Sequence, residues 1–183
     1  MPSSKISIVI PVYNALETLE ELVSQCEKNI KNITQDFEII LIDDYSNDKS
    51  WEKIKNISKK NVFVKGLKLI RNFGVDTAIT EGLKQCSGDY IYIVTCDMTD
   101  PLNEMFTMFD KISNNNELDI VCSYYKNKHP ESFMSKFFSK IYWKFFSFLI
   151  NEVYPVEEGL YRIISKRAAD IYLANSNKFK HIK

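Results

Sequence analysis

Two carboxylates three residues apart, Asp97 and Asp100, stand at the end of the run Gly88-Asp89-Tyr90-Ile91-Tyr92-Ile93-Val94-Thr95-Cys96-Asp97-Met98-Thr99-Asp100-Pro101. Acids so placed can hold a divalent cation against a phosphate, because magnesium-type sites combine one or two carboxylates with substrate phosphate oxygens. They can equally cap the helix that follows, since acidic residues suit helix starts. On these two residues alone both readings stand. Three further polar clusters occur upstream, each after an apolar run: Pro11-Val12-Tyr13-Asn14, Asp43-Asp44-Tyr45-Ser46-Asn47-Asp48 and Arg71-Asn72-Phe73-Gly74. Taken singly, each has a plain alternative: a turn and cap for the acids, a solvated strand end for Arg71, packing for Tyr13.

The apolar runs must position these groups. Ile6 to Ile10, Phe37 to Ile42, Val62 to Ile70, Tyr90 to Val94 and Leu118 to Ser123 have the length and composition of strands. Pro11 is expected to stop the first strand. Between the runs lie helical spacings: Leu16 to Ile30, then Trp51, Ile54 and Ile57, then Val75 to Leu83, then Leu102, Met105, Phe106, Phe109 and Ile112. Pro101 suits the first turn of that last helix, and Gly88 the C-terminal cap of the helix before the central strand. A final helix is expected over Lys166 to Asn175. Alternation of strand and helix predicts an α/β fold with a mostly parallel sheet and helices on both faces. In such a sheet the strand ends share one edge, so the four polar clusters converge on a single site.

Composition excludes several alternatives. Acidic and basic residues balance at 24 each, so no global field favours nucleic acid. The four cysteines, Cys26, Cys86, Cys96 and Cys122, have no metal-type spacing and read as buried free thiols. The start, Met1 to Lys5, runs into a strand and Pro11, so no signal peptide is expected. No apolar run is long enough to span a bilayer. No glycine-rich loop follows the first strand, which argues against a dinucleotide fold and a P-loop. A carboxylate site with few backbone nests would need a divalent cation to hold a diphosphate.

The stretches "SIVIPVYNALETL", "EIILIDDYSND", "LIRNFGVDTAITEGLKQCSGDYIYIVTCDMTDP" and "LYRIISKRAADIY" resemble, in order and spacing, the family 2 glycosyltransferases of GT-A fold. The resemblance runs from Ile6 to Ala174. It is closest to the branch that loads a sugar onto a polyprenyl phosphate, the dolichyl-phosphate mannose synthases and bacterial polyprenyl-phosphate transferases. It implies one GT-A domain over residues 1–183 and an inverting, metal-dependent transferase using Mg2+ or Mn2+. Relatives in this branch often continue into membrane helices.

The resemblance also implies roles. Pro11, Val12, Tyr13 and Asn14 line the nucleotide pocket. Asp43 and Asp44 match paired acids, one of which bonds the base. Arg71, Asn72 and Gly74 match the "RNxG" stretch beside the phosphates. Thr95, Cys96 and Asp97 occupy the DxD motif, with Asp97 on the metal and at the reaction; Asp100 matches a further acid of that loop. Arg162 matches the arginine of "FRL" near the reaction centre. Three positions depart from the pattern. Thr95 replaces the first DxD acid and is a poorer cation ligand. Gly159-Leu160-Tyr161-Arg162 lacks the acid often found before the arginine, although Glu157 and Glu158 stand just upstream. Tyr45 replaces a loop glycine.

A missing general base harms a phosphate acceptor less than a sugar hydroxyl, because a phosphate with a second pKa near 6 is already ionised at neutral pH. The segment 132–150 is rich in aromatics, with Lys136, Lys140 and Lys144 every four residues. That pattern fits an amphipathic helix in a membrane interface, or a helix packed on the sheet with its lysines outward. The expectation is transfer from a nucleotide-diphosphate sugar to a polyprenyl phosphate, on the cytoplasmic side and peripheral to the inner membrane face. A glycan acceptor in surface-polysaccharide assembly, and a non-catalytic nucleotide-sugar-binding domain, are the alternatives. No nucleic-acid partner is expected, and a homo-oligomer is left open.

Overall fold

The computed structural model describes residues 4–124 and 158–179. Its elements are β1 (Ile6–Val12), α1 (Leu19–Ile30), β2 (Phe37–Asp43), α2 (Ser50–Lys60), β3 (Val64–Lys68), α3 (Val75–Leu83), β4 (Tyr90–Ile93), a 3-10 turn (Leu102–Glu104), α4 (Met105–Ser113), β5 (Ile120–Tyr124), β6 (Glu158–Ser165) and α5 (Lys166–Phe179). The chain divides into two compact units, Met1–Val121 with Leu160–Lys183, and Cys122–Gly159. Most of the second unit, including the segment 132–150 and Glu157, lies outside the described residues.

Among the described residues, six strands run in the order β3-β2-β1-β4-β6-β5. β3, β2, β1 and β4 pair in parallel, while β6 pairs antiparallel with β4, setting Arg162 opposite Ile93. Strand alternation divides the core between the two faces. Ile8, Ile10 and Ile163 pack with Leu22, Cys26, Ile54 and Met105 from α1, α2 and α4. Val9, Ile42, Ile93 and Ile164 pack with Ala78, Leu83 and Ala169 from α3 and α5. The expected mostly parallel sheet with helices on both faces is therefore the observed one.

Several local expectations are corrected. Pro11 does not end β1; the strand continues to Val12, with Pro11 in register with Ile42. On its other side β1 pairs with β4 only from Ile6 to Val9, so the missing proline N–H meets no partner strand there. The buried face of α4 is Met105, Met108 and Ile112, and Phe106 is exposed. Pro101 precedes the 3-10 turn instead of sitting in the first turn of α4. Gly88 does not cap α3, which ends at Leu83; a Cβ there would lie 2.6 Å from the Ser7 nitrogen, so close approach to β1 requires the glycine. Of the four cysteines, Cys26 and Cys86 are buried, and Cys96 and Cys122 are half-buried; all are free thiols.

The amino-terminal edge of the sheet is fastened by one carboxylate. Glu38 accepts hydrogen bonds from Ser7 Oγ at 2.8 Å, Ser87 N at 2.8 Å, Ser87 Oγ at 2.7 Å and Lys65 Nζ at 2.7 Å. Burial presses its pKa upward, but these donors outweigh it and bring the carboxyl down to about 2.

Candidate functional site

At the opposite edge, the ends of β1, β2 and β4 and the start of α3 enclose a cleft of about 290 Å³. Pro11, Val12 and Tyr13 line it from β1, Asp44 from β2, Asn72, Gly74 and Val75 from the lead into α3, and Thr95, Cys96 and Asp97 from β4. Four separate polar clusters of the sequence thus meet at one place, as carboxyl ends of parallel strands require.

The β1 and β2 loops are tied together by short polar side chains. Asn14 N donates to Ser46 Oγ at 3.0 Å and Asn47 N to Asn14 Oδ1 at 2.8 Å. Ala15 N donates to the buried Ser50 Oγ at 3.0 Å, and Leu16 N to Asp48 Oδ2 at 3.2 Å. Asn14 and Tyr45 hold φ of 52° and 62°; the bulky Tyr45 thus adopts the left-handed conformation where the resemblance expects glycine. Asp43 is fully buried: its Oδ1 accepts from Ser46 N at 3.3 Å, and its Oδ2 lies 3.8 Å from Lys68 Nζ with no hydrogen-bond donor among the described residues. Asp44 accepts the N–H of Phe73 on one oxygen and that of Gly74 on the other, both at 2.8 Å. Arg71 stacks over the Phe73 ring, 4.5 Å from its centroid.

The β4 loop is arranged around Thr95. Its N–H and hydroxyl both reach Asp100 Oδ2, at 2.6 and 2.8 Å, and the same hydroxyl is 2.8 Å from Asp97 Oδ1. Thr99 adds its N–H at 3.1 Å and its hydroxyl at 2.8 Å to Asp97 Oδ1. Burial presses the Asp97 pKa upward, but the Thr95 and Thr99 bonds outweigh it and hold the carboxyl below its ordinary 3.8. Asp97 Oδ2 accepts no hydrogen bond among the described residues, and the residue is exposed to the cleft. Asp100 is buried and braces the loop through Thr95 rather than capping α4. Burial raises the Cys96 thiol above 9.0, so it is neutral at pH 7, and its carbonyl accepts Thr18 Oγ1 at 2.7 Å.

Arg162 lines a different cavity, of about 250 Å³, with Asp76, Ile164 and Tyr172, and its Nε donates to the Leu160 carbonyl at 3.2 Å. Asn14, Asp43, Arg71 and Asp100 flank the main cleft without lining it. Sequence reasoning missed the bracing residues Thr18, Ser46, Ser50 and Thr99. The only sequence signal for them is a small hydroxyl residue beside each strand end, a common loop composition.

No group of three or more acidic, histidine or cysteine side chains able to hold a metal occurs among the described residues. The donor set nevertheless fits a cation carried on a diphosphate: the carboxylate of Asp97, an exposed residue lining the cleft, with phosphate oxygens and water completing the shell.

A sequence profile of glycosyl transferase family 2 matches residues 7–172. The chain belongs to that family. Among curated relatives, this family 2 chain is 32% identical over 138 residues to a dolichol-phosphate mannosyltransferase of Pyrococcus furiosus, covering 74% of this chain and 38% of the relative. It is 38% identical over 106 residues to an undecaprenyl-phosphate 4-deoxy-4-formamido-L-arabinose transferase of Pseudomonas savastanoi, covering 57% of this chain and 31% of that protein. The chain thus spans well under half the length of these relatives. The fold is shared with a mannosyltransferase from Pyrobaculum calidifontis solved with GDP-Man and Mn2+, at TM-score 0.66 and 13% identity, covering 92% of this chain and 46% of that one. It is shared too with glucosyl-3-phosphoglycerate synthase from Mycobacterium tuberculosis solved with Mn2+ and UDP, at TM-score 0.66 and 16% identity, covering 97% and 65%. The fold is accordingly GT-A. No helix among the described residues is long and apolar enough to cross a membrane.

Proposed function

We propose that this family 2 chain transfers a glycosyl group, with inversion, from a nucleoside-diphosphate sugar to a polyprenyl phosphate. The observation that carries the reading is the convergence of Tyr13, Asp44, Asn72, Gly74 and Asp97 on one strand-end cleft. The names of the curated relatives support a polyprenyl-phosphate acceptor.

In this reading the nucleotide lies along the ends of β1 and β2, and the diphosphate lies between the start of α3 and Asp97. Asp97 Oδ2 would hold a divalent cation, which when bound offsets charge on the departing diphosphate. Thr95 and Thr99 fix the Asp97 carboxylate before any ligand arrives, so little reorganisation remains. An oxyanion of the acceptor phosphate attacks the anomeric carbon as the bond from that carbon to the diphosphate oxygen breaks, and the leaving pair stays on the diphosphate. No proton has to be removed from an already ionised acceptor, which accommodates Leu160 where an acid is often found.

Calorimetry with UDP, GDP, CDP and ADP, each with and without Mn2+, tests the donor half: one nucleotide should bind tightly and more tightly with metal. Transfer of labelled sugar to undecaprenyl phosphate, against a glycan acceptor, tests the other half. Absence of nucleotide binding would sink the reading, and transfer only to the glycan would redirect it. A membrane-facing role for the segment 132–150 is part of the proposal. Changing Lys136, Lys140 and Lys144 to glutamate should remove sedimentation with anionic vesicles at low salt, since each lysine contributes about 1 kcal/mol at such a surface.

A further inference from the structure

Thr18 does not line the cleft, and it occupies the N-cap of α1. A threonine there ordinarily accepts a backbone N–H of the first helical turn, but Thr18 makes no such bond. Its half-buried side chain turns the other way, and the hydroxyl donates to the Cys96 carbonyl at 2.7 Å, 78 positions away. The same hydroxyl lies 3.2 Å from the Ala15 carbonyl; with a single hydrogen to give, it favours the shorter partner. The acceptor matters. The Cys96 carbonyl and the Asp97 N–H belong to one planar peptide, so holding the oxygen holds the plane from which the Asp97 Cα departs. The β1 and β4 pairing closes with the bond from Val94 N to the Val9 carbonyl at 3.0 Å. Past it the loop is carried by side chains: Thr95 N on Asp100 Oδ2 at 2.6 Å, and the Cys96 carbonyl on Thr18. Thr18 is itself placed from the nucleotide side. Its N–H donates to the Ala15 carbonyl at 3.1 Å, while the N–H groups of Ala15 and Leu16 donate to Ser50 and Asp48 after β2.

We propose that Thr18 is a positioning residue for the cation: by donating to the Cys96 carbonyl it fixes the peptide that carries Asp97, and it ties that carboxylate to the loops after β1 and β2. The inference rests on the reading of the cleft as a site for a nucleoside diphosphate and a cation. Asp97 would share the cation with diphosphate oxygens, and the place of the diphosphate is set by the other loops of the cleft. The carboxylate therefore has to stand at a fixed distance from those loops. Thr95 and Thr99 orient the Asp97 side chain, and Thr18 orients the main chain beneath it. Hydrogen bonds that orient a metal ligand from behind typically contribute about 10–100-fold to metal affinity. Thr18 thus acts on what the metal adds to nucleotide binding, and leaves metal-free binding alone.

The test uses the 183-residue chain, with calorimetry of UDP, GDP, CDP and ADP across a range of Mn2+ concentrations, and amide NMR without ligand. Thr18→Val removes the hydroxyl at nearly constant size and breaks no cap bond, since none is made. For whichever nucleotide binds, affinity without metal should be unchanged, while the Mn2+ concentration that gives half the metal effect should rise about tenfold. Thr18→Ser keeps the donor and should restore the wild-type requirement. Thr18→Ala repeats the measurement should valine at this position disturb the start of α1. In the ligand-free chain the Asp97 amide signal should move in Thr18→Val and return in Thr18→Ser, because the carbonyl of the same peptide loses and regains its donor. An unchanged Mn2+ requirement, an equal loss of affinity with and without metal, or a serine variant that behaves like valine would each overturn the assignment. If the wild-type chain binds none of the four nucleotides, or binds them without regard to Mn2+, the reading of the cleft fails and the Asp97 amide decides alone. A signal displaced by valine and restored by serine supports the tether, and an unmoved signal overturns it.

Discussion

The loop after β2 and the loop after β4 both carry acids to the same cleft, and they use them in opposite ways. After β2, Asp43, Asp44 and Asp48 all accept backbone N–H groups: from Ser46, from Phe73 and Gly74, and from Leu16 and Ser50. These carboxylates hold the chain to itself. After β4, Asp100 does the same through Thr95, whereas Asp97 accepts from Thr95 and Thr99 on Oδ1 and is itself exposed at the cleft. A carboxylate oxygen that accepts one N–H keeps a further lone pair, so the two loops differ in how many donors their acids already hold.

The contrast predicts a graded series. Asp97→Asn should have the largest effect. It should abolish the Mn2+ dependence of nucleotide binding and cut transfer by at least about a hundredfold, because a cation on a departing diphosphate contributes several kcal/mol. Full metal-dependent binding in calorimetry would remove the distinction between the two loops. Asp100→Asn should act on stability instead, lowering it by about 1–3 kcal/mol in urea unfolding, since a buried acceptor of two Thr95 donors is weakened. An unchanged midpoint together with lost metal dependence would put Asp100 on the ligand side.

Ser50→Ala, in the β2 loop, should cost about 1 kcal/mol by leaving the Ala15 N–H without its buried acceptor. Nucleotide affinity in this variant should fall less than in Asp97→Asn, and the reverse order would break the comparison. The smallest effect is one of pH. Burial presses Asp48 upward, but bonds from Ser50 and Leu16 outweigh it and hold its carboxyl below 3.8. A depressed carboxyl contributes stability above its unfolded pKa and loses it as pH falls through the folded one, so this contribution should fade only below about pH 4. Comparing thermal midpoints of wild type and Asp48→Asn between pH 7 and pH 3 checks this: the gap between them should close toward the acid end, and a gap that widens there reverses the sign.

The fold was largely readable from the sequence because parallel strands buried on both faces write themselves as unbroken apolar runs, as in Ile39 to Ile42. Convergence of the polar clusters followed from the sheet edge they share. β6 was not anticipated, although Tyr161 and Ile163 alternate with Arg162 and Ile164 between the two faces, because a pattern of two residues to each face is too short to separate from the start of α5. The division of labour among the acids was also hidden. Asp44 and Asp97 look alike in sequence, and the backbone N–H groups that Asp44 accepts come from Phe73 and Gly74, about thirty positions away. The reading of Gly88 as a cap failed for a similar reason, since the Ser7 backbone that forbids a side chain there is distant in sequence. Arg162 was expected at the reaction centre, and it lines a neighbouring cavity on the α3 and α5 face.

Glu38 lies at the far end of the strands from all of this. One carboxylate there unites β1, β2, β3 and the approach to β4 through Ser7, Lys65 and Ser87. The Glu38 anchor and the candidate cleft consequently lie at opposite ends of the same strands. The loops around the cleft can therefore change while the contacts of the anchor stay as they are. Substitutions at the cleft loops leave the Glu38 contacts untouched, so their cost to stability should stay local to the loop that carries them.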